Sequence, residues 1–248
     1  MISSLETFLD ELLFEIFEYL SPYDSFRPFT NLNDRFNNII YSYPLHLNFR
    51  SISRLEFDYI CCHLHPKQVI SIMLSDETIP RQVKIFKEKF PFFKDQFIHL
   101  QCVAFIEIFS STINLPESVK CLELRKYDIC KNFDFNYDKL LMQQAKVLTH
   151  LQIARIGIIN HIDVQFPFLT HLTIDDGFIP DEDCYDGFSN KYTCINMASI
   201  FQNLGSSITY LYLFIDKENK NMKINLEQLS HCLTHLTLHF VEGRKKQK

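Results

Sequence analysis

The chain has 248 residues, a net charge of −5, 46% hydrophobic and 22% charged residues, which is the composition of a folded chain and not of a disordered one. The acidic balance argues against a dedicated nucleic-acid binder, which carries a basic face, and no run of about 18 apolar residues offers a membrane span. The opening Met1-Ile2-Ser3-Ser4-Leu5-Glu6 has neither a basic region nor a small-residue cleavage site. The expected location is therefore the cytosol or nucleus, with the 8 cysteines reduced. With 24 Phe and no Trp, the expected core is built from Phe, Leu and Ile.

The first forty residues predict three short helices. Thr7 is the expected cap of the first, with Asp10 and Glu11 suiting its positive end. Phe8, Leu12, Ile16 and Leu20 recur at i, i+4, with Leu13 and Phe17 beside them, while Glu11, Glu15 and Glu18 fall on the other side. Ser21-Pro22 ends that helix and opens another, with Asp24 in its first turn. Pro28 removes a backbone donor within it, so this second helix is expected to be short or kinked. The third is read over Asn33–Ile40 with Phe36, Ile39 and Ile40 inward. Forty residues are close to the lower limit for burying such a stripe alone. The stripe needs the rest of the chain or another protein.

From there one phrase recurs. Leu148-Thr149-His150-Leu151-Gln152-Ile153 returns as Leu169-Thr170-His171-Leu172-Thr173-Ile174, as Ile208-Thr209-Tyr210-Leu211-Tyr212-Leu213 and as Leu233-Thr234-His235-Leu236-Thr237-Leu238. Looser copies are read at Leu45–Phe49, Val69–Leu74, Phe97–Cys102 and Val119–Leu124. Alternation at the end of each phrase marks a half-buried strand. The average step near 27 residues, spanning 21 to 39, falls in the range of an irregular leucine-rich-repeat solenoid. Linkers between strands read as helices. Ser53-x-x-Glu56 is a capping box opening one to about Leu64; others are expected over Gln82–Phe90, Tyr137–Ala145, Cys194–Leu204 and Leu226–Cys232. The stretch Ala154–Phe168 is too short for a full helix. Alternating strand and helix predicts an α/β fold with a parallel sheet, right-handed and curved.

Stacking aligns equivalent places into ladders on one face. The third place of each phrase gives His46, Ser71, His99, Cys121, His150, His171, Tyr210 and His235; the fifth gives Asn48, Met73, Gln101, Glu123, Gln152, Thr173, Tyr212 and Thr237. Such a mixed face is the usual protein-recognition surface of a solenoid. From it His99, Gln101, Glu123, His150, Gln152, His171, Thr173, Tyr210, Tyr212 and His235 are the candidate target-binding residues. Neighbouring His150 and His171 invite a metal or pH-switch reading, but a pair is too few ligands and a polar surface is the plainer account. Cys61, Cys102, Cys121 and Cys232 read as small buried hydrophobes, and no Cys-x-x-Cys spacing occurs. The acidic insertion 175–187 reads as a loop: solvated, partner-contacting, or, at lowest weight, calcium-holding. No nucleophile elbow, phosphate loop or His-Glu-x-x-His is present, so neither catalysis nor a cofactor or metal is expected. The basic end 241–248 reads as a disordered tail, and the chain stops directly after its last strand, so the array is either short by nature or truncated.

The segment Phe8-Leu9-Asp10-Glu11-Leu12-Leu13-Phe14-Glu15-Ile16-Phe17-Glu18-Tyr19-Leu20-Ser21-Pro22-Tyr23-Asp24 resembles the Leu-Pro-x-Glu-Leu-Leu-x-x-Ile-Phe-x-x-Leu pattern of an F-box, with Arg35-Phe36-Asn37 where that family often has Arg-Trp. The repeats behind it resemble the divergent leucine-rich repeats that follow F-boxes, without the usual Asn or Cys after the strand. Leu9 stands where the family has Pro. The resemblance implies an F-box over residues 1–42, a degenerate solenoid over 43–240, and a substrate adaptor of a Skp–cullin–F-box ubiquitin ligase. It also implies that Leu9, Leu12, Leu13, Ile16, Leu20 and Pro22 meet the Skp-type adaptor, and through it a cullin, while the ladder face holds an unknown target protein. A bare helical cap on a solenoid is the competing reading of residues 1–42. A scaffold that no longer binds the adaptor is the competing function.

Overall fold

The computed structural model describes residues 9–108, 113–125, 137–154, 165–175, 208–216 and 233–241. The expected Thr7 cap, the Phe8 contact, the helices over 194–204 and 226–232, most of the acidic insertion, Cys184, Cys194, Cys232 and the basic end lie outside the described residues.

Helix α1 runs Asp10–Glu18, with Leu9 at its N-cap and no side-chain cap. The N-cap position is therefore Leu9 and not the expected Thr7, with Asp10 and Glu11 already in the first turn. Helix α2 (Pro22–Phe29) opens as read: the Ser21 hydroxyl accepts from the Asp24 amide at 3.1 Å and Pro22 takes the first position. Pro28 lies one residue from its end, so it shortens the helix without breaking its middle. Helix α3 (Asp34–Ser42) is capped by Asn33, which accepts from the Phe36 amide at 3.0 Å. The Arg35 guanidinium meets Asp10 at 2.6 Å and ties α3 to α1. Between the three helices Phe17 meets Phe29 edge-on and Phe29 stacks on Phe36.

The strands β1 (Leu45–Asn48), β2 (Val69–Ser75), β3 (Cys102–Ile106), β4 (Cys121–Arg125), β5 (His150–Ala154), β6 (His171–Asp175), β7 (Tyr210–Asp216) and β8 (His235–Val241) form one 8-stranded sheet in chain order. Every pair is parallel. Between strands stand α4 (Arg54–His63), α5 (Gln82–Lys89), the four-residue α6 (Phe93–Gln96) and α7 (Tyr137–Gln144). The capping box of α4 is complete: Ser53 Oγ accepts from the Glu56 amide, and Glu56 accepts from the Ser53 amide at 2.7 Å. Chain order, a uniform parallel direction and intervening helices give a solenoid-like α/β fold in which each rung meets only the rungs beside it.

The core follows from the alternation. Leu47, Ile72, Val103, Leu122, Leu151, Leu172 and Leu211 line up rung by rung and are buried. Phe49, Phe57 and Phe86 meet across β1, α4 and α5, and Phe86 also faces Phe90, Phe93 and Phe97. The Thr of the repeated phrase has a structural task. Thr149, Thr170, Thr209 and Thr234 each donate a hydroxyl hydrogen bond to a carbonyl of the previous rung, at 3.0–3.3 Å. The same carbonyls accept two amides each, from Thr149 and His150, Thr170 and His171, Thr209 and Tyr210, and Thr234 and His235.

A buried glutamine closes the ends of β1 and β2. Gln82 Oε1 accepts from the Ser75 amide at 2.8 Å and Gln82 Nε2 donates to the Phe49 carbonyl at 2.9 Å. Gln82→Ala is expected to orphan both buried backbone groups and to cost about 1–3 kcal/mol in chemical denaturation. A loss below about 0.5 kcal/mol would show that water takes over both bonds.

Candidate interaction surfaces

Helix α1 divides its apolar residues between two faces. Leu13 is fully buried and Phe17 is 2% exposed. Leu9 (66% exposed), Leu12 (44%), the half-buried Ile16 and Tyr19 (88%) follow at steps of three, four and three residues, the spacing of one helical face. Leu13, expected at the partner, is instead a fully buried core residue, so its side chain is not available on the surface of the free chain. Leu20 and Pro22 are half-buried, and Leu20 packs against the core. Tyr19 belongs to the outward strip and was not singled out from the sequence, although its spacing from Leu12 and Ile16 carried the signal. Leu32, 55% exposed, lies between α2 and α3.

The second surface is the open face of the sheet. Its third-place ladder is His46, Ser71, Cys102, Cys121, His150, His171, Tyr210 and His235. Cys102 stands where His99 was expected, and Ala104 where Gln101 was. His99 and Gln101 both precede β3 and are exposed off the ladder; the Gln101 backbone joins rungs instead, donating to the Ile70 carbonyl at 2.8 Å and accepting from Lys120. The remaining candidates Glu123, His150, Gln152, His171, Thr173, Tyr210, Tyr212 and His235 stand on the ladders in the expected register.

Small side chains at Ser71, Cys102, Ala104 and Cys121 leave a groove of about 470 Å³. Its lining runs from His46, Asn48 and Met73 to Glu123, His150, Gln152, His171, Thr173 and Tyr212. Glu123 pairs with Arg125 on its own strand. His46 Nδ1 meets Ser71 Oγ at 2.8 Å.

Beside the groove four rings stack face to face. His150, His171, Tyr210 and His235 have centroid separations of 4.0, 4.3 and 4.4 Å and interplanar angles of 13°, 9° and 13°. Parallel register imposes this, since equal side chains at equal places repeat at the strand spacing. Each imidazole Nδ1 lies 2.9 Å from the hydroxyl of the preceding Thr. Each hydroxyl thus stands between a backbone carbonyl of the previous rung and an imidazole Nδ1. The stack is therefore a row of ring edges whose Nδ1 atoms are held by the preceding threonines.

Burial, and then the neighbouring His150, hold the His171 pKa below the usual imidazole value. The unfolded chain then binds that proton more readily than the folded one. Stability is full above about pH 6.5 and falls as pH drops through the window below it. Thermal melts are expected to show this acid loss in the wild type and a smaller loss in His171→Tyr, which extends the Tyr210 pattern by one rung. Parallel pH profiles for the two proteins would remove His171 as the cause.

The Cys61 thiol, on the buried face of α4, is pushed up to about 12 by desolvation, whereas Cys62 is exposed. Cys102 and Cys121 are half-buried, not sealed as the sequence implied. Among the described residues no group of three His, Cys, Asp or Glu is arranged around one metal ion, and no helix is long and apolar enough to cross a membrane. No family, curated protein or solved structure matches the chain.

Proposed function

We propose that this chain is a protein-interaction adaptor of the F-box and leucine-rich-repeat kind, acting in the cytosol or nucleus. Its N-terminal helices bind a Skp-type adaptor, and through it a cullin, while its open sheet face holds a target protein for ubiquitin transfer. It performs no bond chemistry itself and raises the target's effective concentration at the ligase. One observation carries the reading. Leu9, Leu12 and Tyr19 are exposed at helical spacing, with the half-buried Ile16 packed against the core between them, while Leu13 and Phe17 fill the core behind. Such an outward strip on a short helix is an anchor set for a hydrophobic groove on another protein. The F-box likeness of residues 8–24 supports a Skp-type adaptor as the owner of that groove, and the wide mixed face of the sheet offers a separate surface for a target.

A scaffold that has lost the adaptor is the second reading, because Leu9 replaces the proline of the F-box pattern. The backbone at Leu9 has φ −67° and ψ 151°, values that proline adopts without strain. Leu9→Pro is therefore expected to keep the fold. Pull-down with a purified Skp-type adaptor decides between the readings: retention by the wild type supports the ligase adaptor. Retention by Leu9→Pro alone supports the scaffold, and retention by neither variant overturns the proposal.

A further inference from the structure

The corrected register places two thiols where the sequence placed a histidine. Cys102 and Cys121 are direct partners on β3 and β4, both free, both half-buried, and both in the lining of the groove. His150 follows on β5 and His171 on β6 in the same column. Four metal-ligating side chains thus occupy four successive rungs.

We propose that Cys102 and Cys121 form a binding site for one soft monovalent d10 cation of the copper(I) type, held between the two sulfurs across neighbouring rungs. The geometry selects the ion. Neighbouring strands lie about 4.8 Å apart, so an ion midway is about 2.4 Å from each sulfur, close to the ~2.3 Å of metal–thiolate bonds. Zinc requires about four donors in a tetrahedron, and a straight column does not supply them. A two-coordinate soft cation requires only the pair, and thiolate ligands select copper(I) from harder ions. His150 stands beside Cys121 on the next rung, where its imidazole is a further nitrogen ligand. The floor formed by Val103 and Leu122 is buried and apolar, which favours a compact, low-charge complex over a hydrated divalent ion.

The binding step balances without redox chemistry. The cation and two Cys–SH groups give one S–M–S unit of charge −1 and release two protons to solvent, with the metal unchanged in oxidation state. The metal must displace these protons, so affinity rises with pH.

The test uses the full-length reduced protein without oxygen. Copper(I) is added as its acetonitrile complex, and silver(I) as a redox-inert substitute, in competition with bathocuproine disulfonate for copper. The wild type and the exposed-thiol control Cys62→Ala are expected to retain one equivalent against the chelator, with two sulfur neighbours in the copper X-ray absorption spectrum. Cys102→Ser and Cys121→Ser are each expected to lose that equivalent while keeping the wild-type circular dichroism. Unchanged retention in both serine variants, or a first shell of nitrogen and oxygen, overturns the proposal. Should either variant unfold, top-down fragmentation of the silver-loaded wild type decides: an ion carried by the segment 102–121 supports the site, and an ion carried elsewhere overturns it.

Discussion

Phe86→Ala is expected to remove about 3–5 kcal/mol of stability, the range for deleting a buried aromatic ring, and to lower the melting temperature by on the order of 10 °C in a chain of this size. Phe86 is fully buried. Its ring lies 4.8 Å from Phe90, 5.6 Å from Phe97, 5.7 Å from Phe93, 6.1 Å from Phe49 and 6.4 Å from Phe57. Those partners belong to two rungs and three helices, so no single element can relax into the void. Phe92, 68% exposed two residues past α5 and its cap, is the control, and Phe92→Ala should change stability by no more than about 0.5 kcal/mol. Equal, small losses in urea denaturation of the two variants would mean that the ring cluster is not shared by the rungs.

The second large effect concerns the helix α1. Leu9→Asp combined with Leu12→Asp is expected to weaken retention of a Skp-type adaptor by about 30-fold or more, the equivalent of losing a hot spot of about 2 kcal/mol. The melting temperature should stay within a degree or two, since both side chains stand in water in the free protein. Leu13→Ala should do the reverse to the free chain, costing about 2–5 kcal/mol of stability. Calorimetric titration with the adaptor and thermal melts on all three proteins separate an interface from a core. If the double aspartate variant binds like the wild type, the strip is not the adaptor site, whatever the chain binds elsewhere.

Local chemistry made much of this readable in advance. Ser53 with Glu56 and Ser21 with Pro22 announced helix starts because capping is a short-range hydrogen bond. The Leu-Thr-His-Leu phrases announced β5, β6 and β8 because polar and apolar places alternate there. Strand β3 was placed three residues early for the opposite reason. Ala104 and Ile106 put apolar residues in outward or end places, so the strand carries no period-2 mark, while Phe97, Leu100 and Cys102 imitate one. That slip moved His99 and Gln101 onto the ladder and hid the Cys102–Cys121 pair. Leu13 was assigned to a partner because helical spacing says which residues share a stripe and not what lies opposite them. Whether a stripe meets its own chain or another depends on packing between elements, which spacing alone does not contain.

The step from β6 to β7 is 39 residues, against 21 from β5 to β6, yet Leu172 pairs with Leu211 in the same register as Leu151 with Leu172. The sheet therefore tolerates extra chain between rungs so long as each newcomer re-enters at the same column. Length is then an editable property of this molecule. Excising one whole unit, from Thr149 to Leu169, would present Thr170 to the Lys120 carbonyl that Thr149 now uses. The join would reuse bonds of the same kind. Growth or shrinkage of the sheet by single units leaves the helical end untouched, so a lineage can lengthen or shorten one surface without rebuilding the other.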